Sequence, residues 1–231
     1  MKAVVLSSGG VDSTTCLGIA VDRYGAENVV SLSMFYGQRH DKELECAKKI
    51  AEYYNIAHYE MNLEKVFAFS NCSLLKHSSE NVPEKSYKQQ IDENGEGRVS
   101  TYVPFRNGLL LATATSIADG LFQGQECVIM YGAHADDAAG EAYADCSIDF
   151  ANAIGKAISI GTYNKIKLEA PLVEMNKTEV VKKGLELKVP YELTWSCYEG
   201  KEKQCGKCGT CIDRKKAFEN NNVIDPVGYM E

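Results

Sequence analysis

The chain has 231 residues, 45% of them hydrophobic and 25% charged, the proportions of a soluble globular protein long enough for one sizeable core. Its net charge of -7 argues against a surface built to coat a nucleic-acid backbone, and its apolar runs are too short to span a bilayer. The N-terminus has no basic stretch followed by an apolar core, so a cytoplasmic protein is expected.

Short β-branched runs alternate with helical patterns along the chain. K-A-V-V-L (2–6) reads as a strand and is followed by a helix from Ser13 to about Tyr24. The strand at 28–36 precedes a helix in which Leu44, Ala47, Ile50, Ala51 and Tyr54 recur at helical spacing. A third strand covers 58–63, an apolar helix 106–122, a fourth strand 126–132, a helix near 148–160 and a fifth strand 166–172. A last helix starts at 176, with Asn176 as its cap, Glu179 at the third helical position and Gly184 as its stop. This alternation predicts an α/β fold, a doubly wound parallel sheet whose ligands bind at the carboxyl ends of the strands. Residues 70–100 break the rhythm: they are polar with little periodicity, which fits either a mobile lid or a plain surface insertion.

Two stretches carry chemistry. The first is K-A-V-V-L-S-S-G-G-V-D-S-T-T-C, residues 2–16, a strand that enters a helix through a glycine pair. Glycines let a ligand approach the backbone, free N–H groups at a helix start attract an anion, and Ser8, Ser13 and Thr14 add hydroxyl donors. Asp12 suits a magnesium ion held through its water shell. Neither G-x-x-x-x-G-K-[ST] nor G-x-G-x-x-G is present. A bland alternative is a tight strand–helix turn capped by Ser13.

The second stretch holds Cys197, Cys205, Cys208 and Cys211, spaced C-x7-C-x2-C-x2-C; the other five of the nine cysteines are scattered. In a reducing compartment such clustering points to metal rather than disulfides. Four thiolates fill a tetrahedral Zn2+ shell with no open position, so the site would pin the tail and not catalyse. An iron–sulfur cluster uses the same ligand count.

S-G-G-V-D-S after the first strand resembles the PP-loop of ATP pyrophosphatases, which implies a Rossmann-like fold and cleavage of ATP between its α and β phosphates. Further matches run nearly the whole chain: F-Y-G-Q-R-H (35–40), Y-V-P-F-R-N-G (102–108), G-A-H-A-D-D-A-A-G (132–140), A-Y-A-D-C (142–146), A-P-L (170–172) and L-T-W-S-C-Y (193–198). In this order they resemble the 7-cyano-7-deazaguanine synthase family of the queuosine pathway. The resemblance implies a PP-loop domain over 1–192 and a zinc-binding segment over 193–231. It implies conversion of 7-carboxy-7-deazaguanine and ammonia to the nitrile with ATP, Mg2+ and Zn2+, by a homodimer that takes a small-molecule substrate and neither nucleic acid nor membrane.

The same resemblance implies residue roles. ATP is expected on Leu6, Ser7, Ser8, Gly9, Gly10, Val11, Asp12, Ser13, Thr14, Thr15 and Cys16, with Gln38, Arg39 and His40 near the adenosine. Asp12, Ser13, Arg106 and Lys177 are the expected catalytic groups, and Asn107, His134, Asp136, Asp137 and Asp145 the substrate contacts. Each has a plainer alternative: Lys177 a solvated first-turn lysine, Arg106 and Asn107 helix-capping groups, the aspartates a turn. Cys146 is read as a small buried cysteine rather than a nucleophile. Ala144 stands where the family usually has Pro, which loosens the loop carrying Asp145. Ser7 replaces a bulkier apolar residue below the cradle. Two rivals stay open: another PP-loop adenylating enzyme such as a tRNA thiolase, and a zinc-stabilised interaction domain without catalysis.

Overall fold

A computed structural model describes residues 1–83, 99–139 and 142–230. The β-branched runs form five strands: β1 (Lys2–Leu6), β2 (Val29–Phe35), β3 (Ala57–Asn62), β4 (Cys127–Met130) and β5 (Ile166–Glu169). They pair in parallel in the order β3-β2-β1-β4-β5. The order reverses between β1 and β4, where Val5 is in register with Met130. That junction is the topological switch point, and ligand sites in open parallel sheets lie beyond its strand ends.

Successive side chains of β1 serve the two faces of the sheet, as the pleat requires. Ala3 and Val5 join a core with α1 (Val11–Tyr24) and Ile50 of α2 (Lys42–Tyr53). Val4 and Leu6 join the opposite core, built with α3 (Arg106–Phe122) and α4 (Ile148–Gly161). Val180 and Val181 of α5 (Lys177–Glu186) and Ala217 and Phe218 of α6 (Gly209–Asn220) complete the first face. Burial on both faces explains why β1, β2 and β4 read as continuous apolar runs, while the edge strand β3 is largely exposed.

Two local readings differ from the sequence expectation. The capping box of α5 forms as its sequence suggests, with Asn176 accepting from Glu179 N–H and Glu179 accepting from Asn176 N–H, but Gly184 does not stop the helix. It is a packing glycine, because a Cβ there would land on the Tyr191 hydroxyl. The helix α6 has no counterpart among the elements read from the sequence. Of the segment 70–100, residues 84–98 lie outside the described residues, and so does the lid expectation for them. No helix among the described residues is long and apolar enough to cross a membrane.

The tail is held to the first face by one buried cation. Arg214 is fully buried; its Nε and Nη2 donate to Asp225 at 2.8 and 2.9 Å, and Nη1 donates to Thr194 Oγ1 at 2.8 Å. The Tyr229 hydroxyl donates to the same carboxylate at 2.6 Å. Arg214→Met strands Asp225 without its cation, a loss of about 3–5 kcal/mol for a broken buried pair, or roughly 6–20 °C in melting temperature at this chain length. Thermal denaturation checks this.

Candidate active site

Immediately after β1 the chain turns through Ser7, Ser8, Gly9 and Gly10 into α1. Gly9 has φ +80°, and a Cβ on it would strike the Glu43 carbonyl oxygen of α2. On the other side Trp195 N–H donates to Gly9 O at 2.9 Å, so the turn is clamped between α2 and the C-terminal segment. Gly132, beyond β4, is needed for close approach: a Cβ there would come within 2.8 Å of the Asp12 carbonyl carbon. The N-cap of α1 is Gly10 rather than Ser13, and no side chain caps it. The first turn of the helix, Val11 to Ser13, therefore offers its N–H groups and dipole to whatever lies above, an arrangement suited to an anion. Ser8 and Ser13 brace the turn, with their hydroxyls 3.0 Å apart and Ser8 N–H donating to Ser13 Oγ at 3.1 Å.

The turn forms the floor of a cleft of about 1090 Å³. Leu6, Ser7, Ser8, Gly10, Val11, Asp12 and Ser13 line it, whereas Thr14, Thr15 and Cys16 face the interior. Thr14 donates to Gly10 O at 2.6 Å, Thr15 sits 2.7 Å from the Tyr191 hydroxyl, and Cys16 is fully buried.

Lys177, at the start of α5, reaches across to Asp12 and places Nζ 2.6 Å from both carboxylate oxygens. Its backbone N–H donates to Asp136 at 2.8 Å. His134 Nε2 stands 3.7 Å from Asp12, 3.4 Å from Asp137 and 3.4 Å from Lys177 Nζ. Burial works against the charge of Asp12, but the Lys177 ammonium and the His134 ring outweigh it and hold its carboxyl below the ordinary value. For Asp137 burial and the Asp12 charge win over His134, and its carboxyl is raised. Two carboxylates of unlike proton affinity thus share one end of the cleft with one lysine. They offer hard oxygen ligands suited to Mg2+.

Arg106 and Asn107 open α3 on the opposite wall. Arg106 donates to the Tyr36 hydroxyl at 3.2 Å. Asp145 accepts from Asn107 N–H at 2.8 Å, and the Asn107 amide donates to Asp145 O and Cys146 Sγ, both at 3.2 Å. Asn107 lines the cleft, but Asp145, buried, turns its carboxylate to the helix start. Burial and the nearby Asp137 and Asp145 push the Cys146 thiol well up, which keeps it protonated. Gln38, Arg39 and His40 also line the cleft while fastening its rim. Gln38 accepts from Tyr36 N–H at 2.8 Å, Arg39 donates to Ser73 O at 2.6 Å, and His40 Nε2 lies 2.9 Å from Cys197 O.

The four clustered cysteines are buried, with all Sγ atoms within 4.8 Å of one another. Cys197 Sγ accepts from the N–H groups of Glu199 and Cys205 at 3.3 and 3.2 Å, and Cys205 Sγ from Lys207 and Cys208 at 3.4 and 3.3 Å. Such N–H···S bonds stabilise thiolates, so the set fits a metal ion.

Several cleft residues were given no role in the sequence reading, although Trp195 and Ser196 lie in the matched stretch 193–198. Asp213, Lys216 and Asn220 reach the cleft from α6, Trp195 and Ser196 from the segment before the cysteines, and Glu43 from α2. Three buried polar atoms at the strand ends, Ser7 Oγ, Tyr131 Oη and His134 Nδ1, have no partner among the described residues. Buried polar groups are ordinarily satisfied, so their orphaned state marks a cleft built for a polar ligand.

A family model described as "Queuosine biosynthesis protein QueC" matches residues 2–222. A protein of Caldicellulosiruptor saccharolyticus named 7-cyano-7-deazaguanine synthase is 43% identical over 229 residues, covering 99% of this chain and 96% of its own. One of the same name from Archaeoglobus fulgidus is 37% identical over 228 residues, 98% of this chain and 90% of its own. Among solved structures, the glutamine-dependent NAD+ synthetase from Acinetobacter baumannii, in complex with adenosine diphosphate, aligns with a TM-score of 0.50 and 17% identity. The alignment covers 85% of this chain and 32% of that one, and at this identity speaks for the fold alone.

Proposed function

The chain belongs to the queuosine biosynthesis protein QueC family, and we propose that it is an ATP-dependent carbon–nitrogen ligase that turns 7-carboxy-7-deazaguanine and ammonia into 7-cyano-7-deazaguanine. The observation that carries this reading is the uncapped start of α1 at the switch point, faced by Lys177, in a chain that matches named synthases over nearly its whole length.

ATP is a substrate of this reaction. A carboxylate is a poor electrophile, and adenylation makes one of its oxygens a leaving group. Ammonia then gives the amide, and a second activation of the amide oxygen with loss of AMP gives the nitrile. Both activations have an oxygen attacking the α-phosphorus, so one site serves both. Ser8, Gly9, Gly10, Ser13 and the first-turn N–H groups of α1 hold the phosphates, while Lys177 and Arg106 balance charge developing as pyrophosphate leaves. Leu6, Ser7 and Val11 shape the floor, with Thr14, Thr15 and Cys16 supporting it from below. Gln38, Arg39 and His40 keep the rim toward the adenosine. Asn107, His134, Asp136 and Asp137 present groups to the deazaguanine, and Asp145 acts by fixing Asn107.

Magnesium, held by Asp12 and Asp137 through water, would neutralise phosphate charge. For the cysteines, Cys205 and Cys211 stand 3.9 Å apart at sulfur, close to the ~3.8 Å edge of a tetrahedron with 2.3 Å Zn–S bonds. That spacing suits four thiolates converging on a single ion, and we propose Zn2+, whose closed shell would make it a structural link. The segment 193–231 is then a metal-pinned wall on a domain of residues 1–192, in a cytoplasmic homodimer.

Purified protein given ATP, magnesium, an ammonium salt and 7-carboxy-7-deazaguanine is expected to release AMP and pyrophosphate together with a product bearing a nitrile, followed by mass spectrometry. AMP formed only with another carboxylate or with tRNA would sink the substrate assignment and leave the PP-loop chemistry.

A further inference from the structure

Six carboxylate side chains line the cleft, those of Asp12, Glu43, Asp136, Asp137, Glu179 and Asp213. Four are engaged: Asp12 with Lys177, Asp136 with Lys177 N–H, Asp137 with His134, and Glu179 with Asn176 N–H in the capping box. Asp213, from α6, stands among the charges of Lys177, Asp136, Asp137 and His134. Glu43 is different. It projects from the first turn of α2 on the opposite wall, and its carboxylate has no hydrogen bond or ion pair among the described residues. Its backbone carbonyl lies directly against Gly9, so the first turn of α2 abuts the glycine turn, and its side chain lines the cleft above that turn. Leu6, Leu44, Leu74 and Tyr36 line the same cleft, and the charge nearest to Glu43 is the Arg106 guanidinium.

From this placement we infer that Glu43 is the general base that removes the last proton from the substrate nitrogen as the nitrile forms. The inference rests on the synthase reading above. In the second activation the amide oxygen attacks the phosphorus held over the glycine turn. The nitrogen is one carbon away from that oxygen, so a base for it must stand beside the turn, where Glu43 is. The adenylated amide loses one N–H proton readily to water, because its nitrogen is then cationic. In the final step Glu43 takes the remaining proton, the N–H bonding pair becomes the third C–N bond, the C–O bond breaks, and AMP leaves with the C–O bonding pair. No electron is gained or lost from outside.

The electrostatics support the role. Burial pushes the Glu43 carboxyl up to about 7, partly offset by the Arg106 guanidinium. The other ionisable groups that face it are Tyr36, beyond β2, and Cys46 on its own helix, both raised by burial and therefore neutral near pH 7. A base that titrates near the working pH combines availability with driving force for proton transfer. Only the carboxylate form accepts the proton, so the rate falls as pH drops through that value.

The test uses the 7-amido compound as substrate, which removes ammonia and its own titration from the measurement. Two quantities are followed on Glu43→Gln: amide-dependent exchange of pyrophosphate into ATP, which reports adenylation, and nitrile release. Exchange is expected to stay within about threefold while nitrile release falls about 100-fold or more, the range for loss of a positioned base. The acidic limb near pH 7 disappears with it. Glu43→Asp keeps a carboxylate and should recover part of the rate, which also answers a folding defect in the glutamine variant. Equal nitrile release by wild type and Glu43→Gln, or a parallel fall in exchange and nitrile release with an unchanged pH profile, overturns the inference while leaving the synthase reading intact. Absence of both acid- and amide-dependent exchange in the wild type instead overturns the synthase reading, and the inference falls with it.

Discussion

Lys177→Met is expected to lower kcat/KM by about 10²–10³, the effect of removing one preorganised electrostatic contact to developing charge. The lysine is the cation that faces the start of α1, at 2.6 Å from both oxygens of Asp12. Removing it does two things in the same direction. Phosphate charge loses its counter-charge, and Asp12, no longer held low by the ammonium, presents an uncompensated negative charge to an anionic ligand. The loss should appear in pyrophosphate exchange with both the acid and the amide, because both activations use the same phosphate site. The fold should survive, since α5 is capped by Asn176 and Glu179 rather than by Lys177, and methionine is a good helix former. Steady-state exchange kinetics beside circular dichroism check this. An effect below threefold would return Lys177 to a solvated first-turn lysine.

The second large effect concerns the cysteines. Cys208→Ser is expected to release the metal and unseat the segment from about 195 to 230, with activity reduced at least 100-fold. A structural metal site contributes its binding free energy to folding, which is on the order of 10 kcal/mol for small zinc modules. Here the site anchors more than itself. Cys197 O accepts from the Trp195 indole at 2.7 Å and meets His40 Nε2 at 2.9 Å, and Thr210 donates to Ser196 O at 2.6 Å. Asp213, Lys216 and Asn220 enter the cleft on the helix that Cys208 caps and Cys211 helps to start. Hydrogen exchange should rise across α6 and the tail while β1 to β4 stay protected, with metal content measured in parallel. Retained metal and unchanged protection in Cys208→Ser would contradict the assignment of four ligands to one ion.

How much of this was legible in the sequence depended on where the signal resides. The strands β1, β2 and β4 were readable because burial on both faces demands continuous apolar runs, whereas the largely exposed β3 showed only by its place in the alternation; the capping box at 176–179 was readable because it is local. The glycine turn was readable for the same reason: Gly9 at φ +80° and the uncapped Gly10 are consequences of adjacent residues. The helix α6 was not. Its largest fully buried side chain is Arg214, whose partner Asp225 lies outside the helix, so a charged residue occupies a place where periodicity would show an apolar one. The contributions of Asp213 and Lys216 to the cleft depend on folding the tail back across the sheet, which no local pattern announces. Glu43 was passed over although it stands four residues before Ala47 and seven before Ile50, in line with the apolar stripe of its helix. A carboxylate at that register was the signal that could have found it. The reading of Gly184 as a stop failed because its missing side chain serves Tyr191, a neighbour brought in by the chain after the helix.

The bond from Trp195 N–H to Gly9 O joins residues 186 positions apart. The loop most recognisable in the sequence is thus braced by a segment far from it along the chain. Its conformation is set by adjacent residues, but its position is shared with the tail, so disorder introduced around Trp195 is expected to reach Gly9 directly.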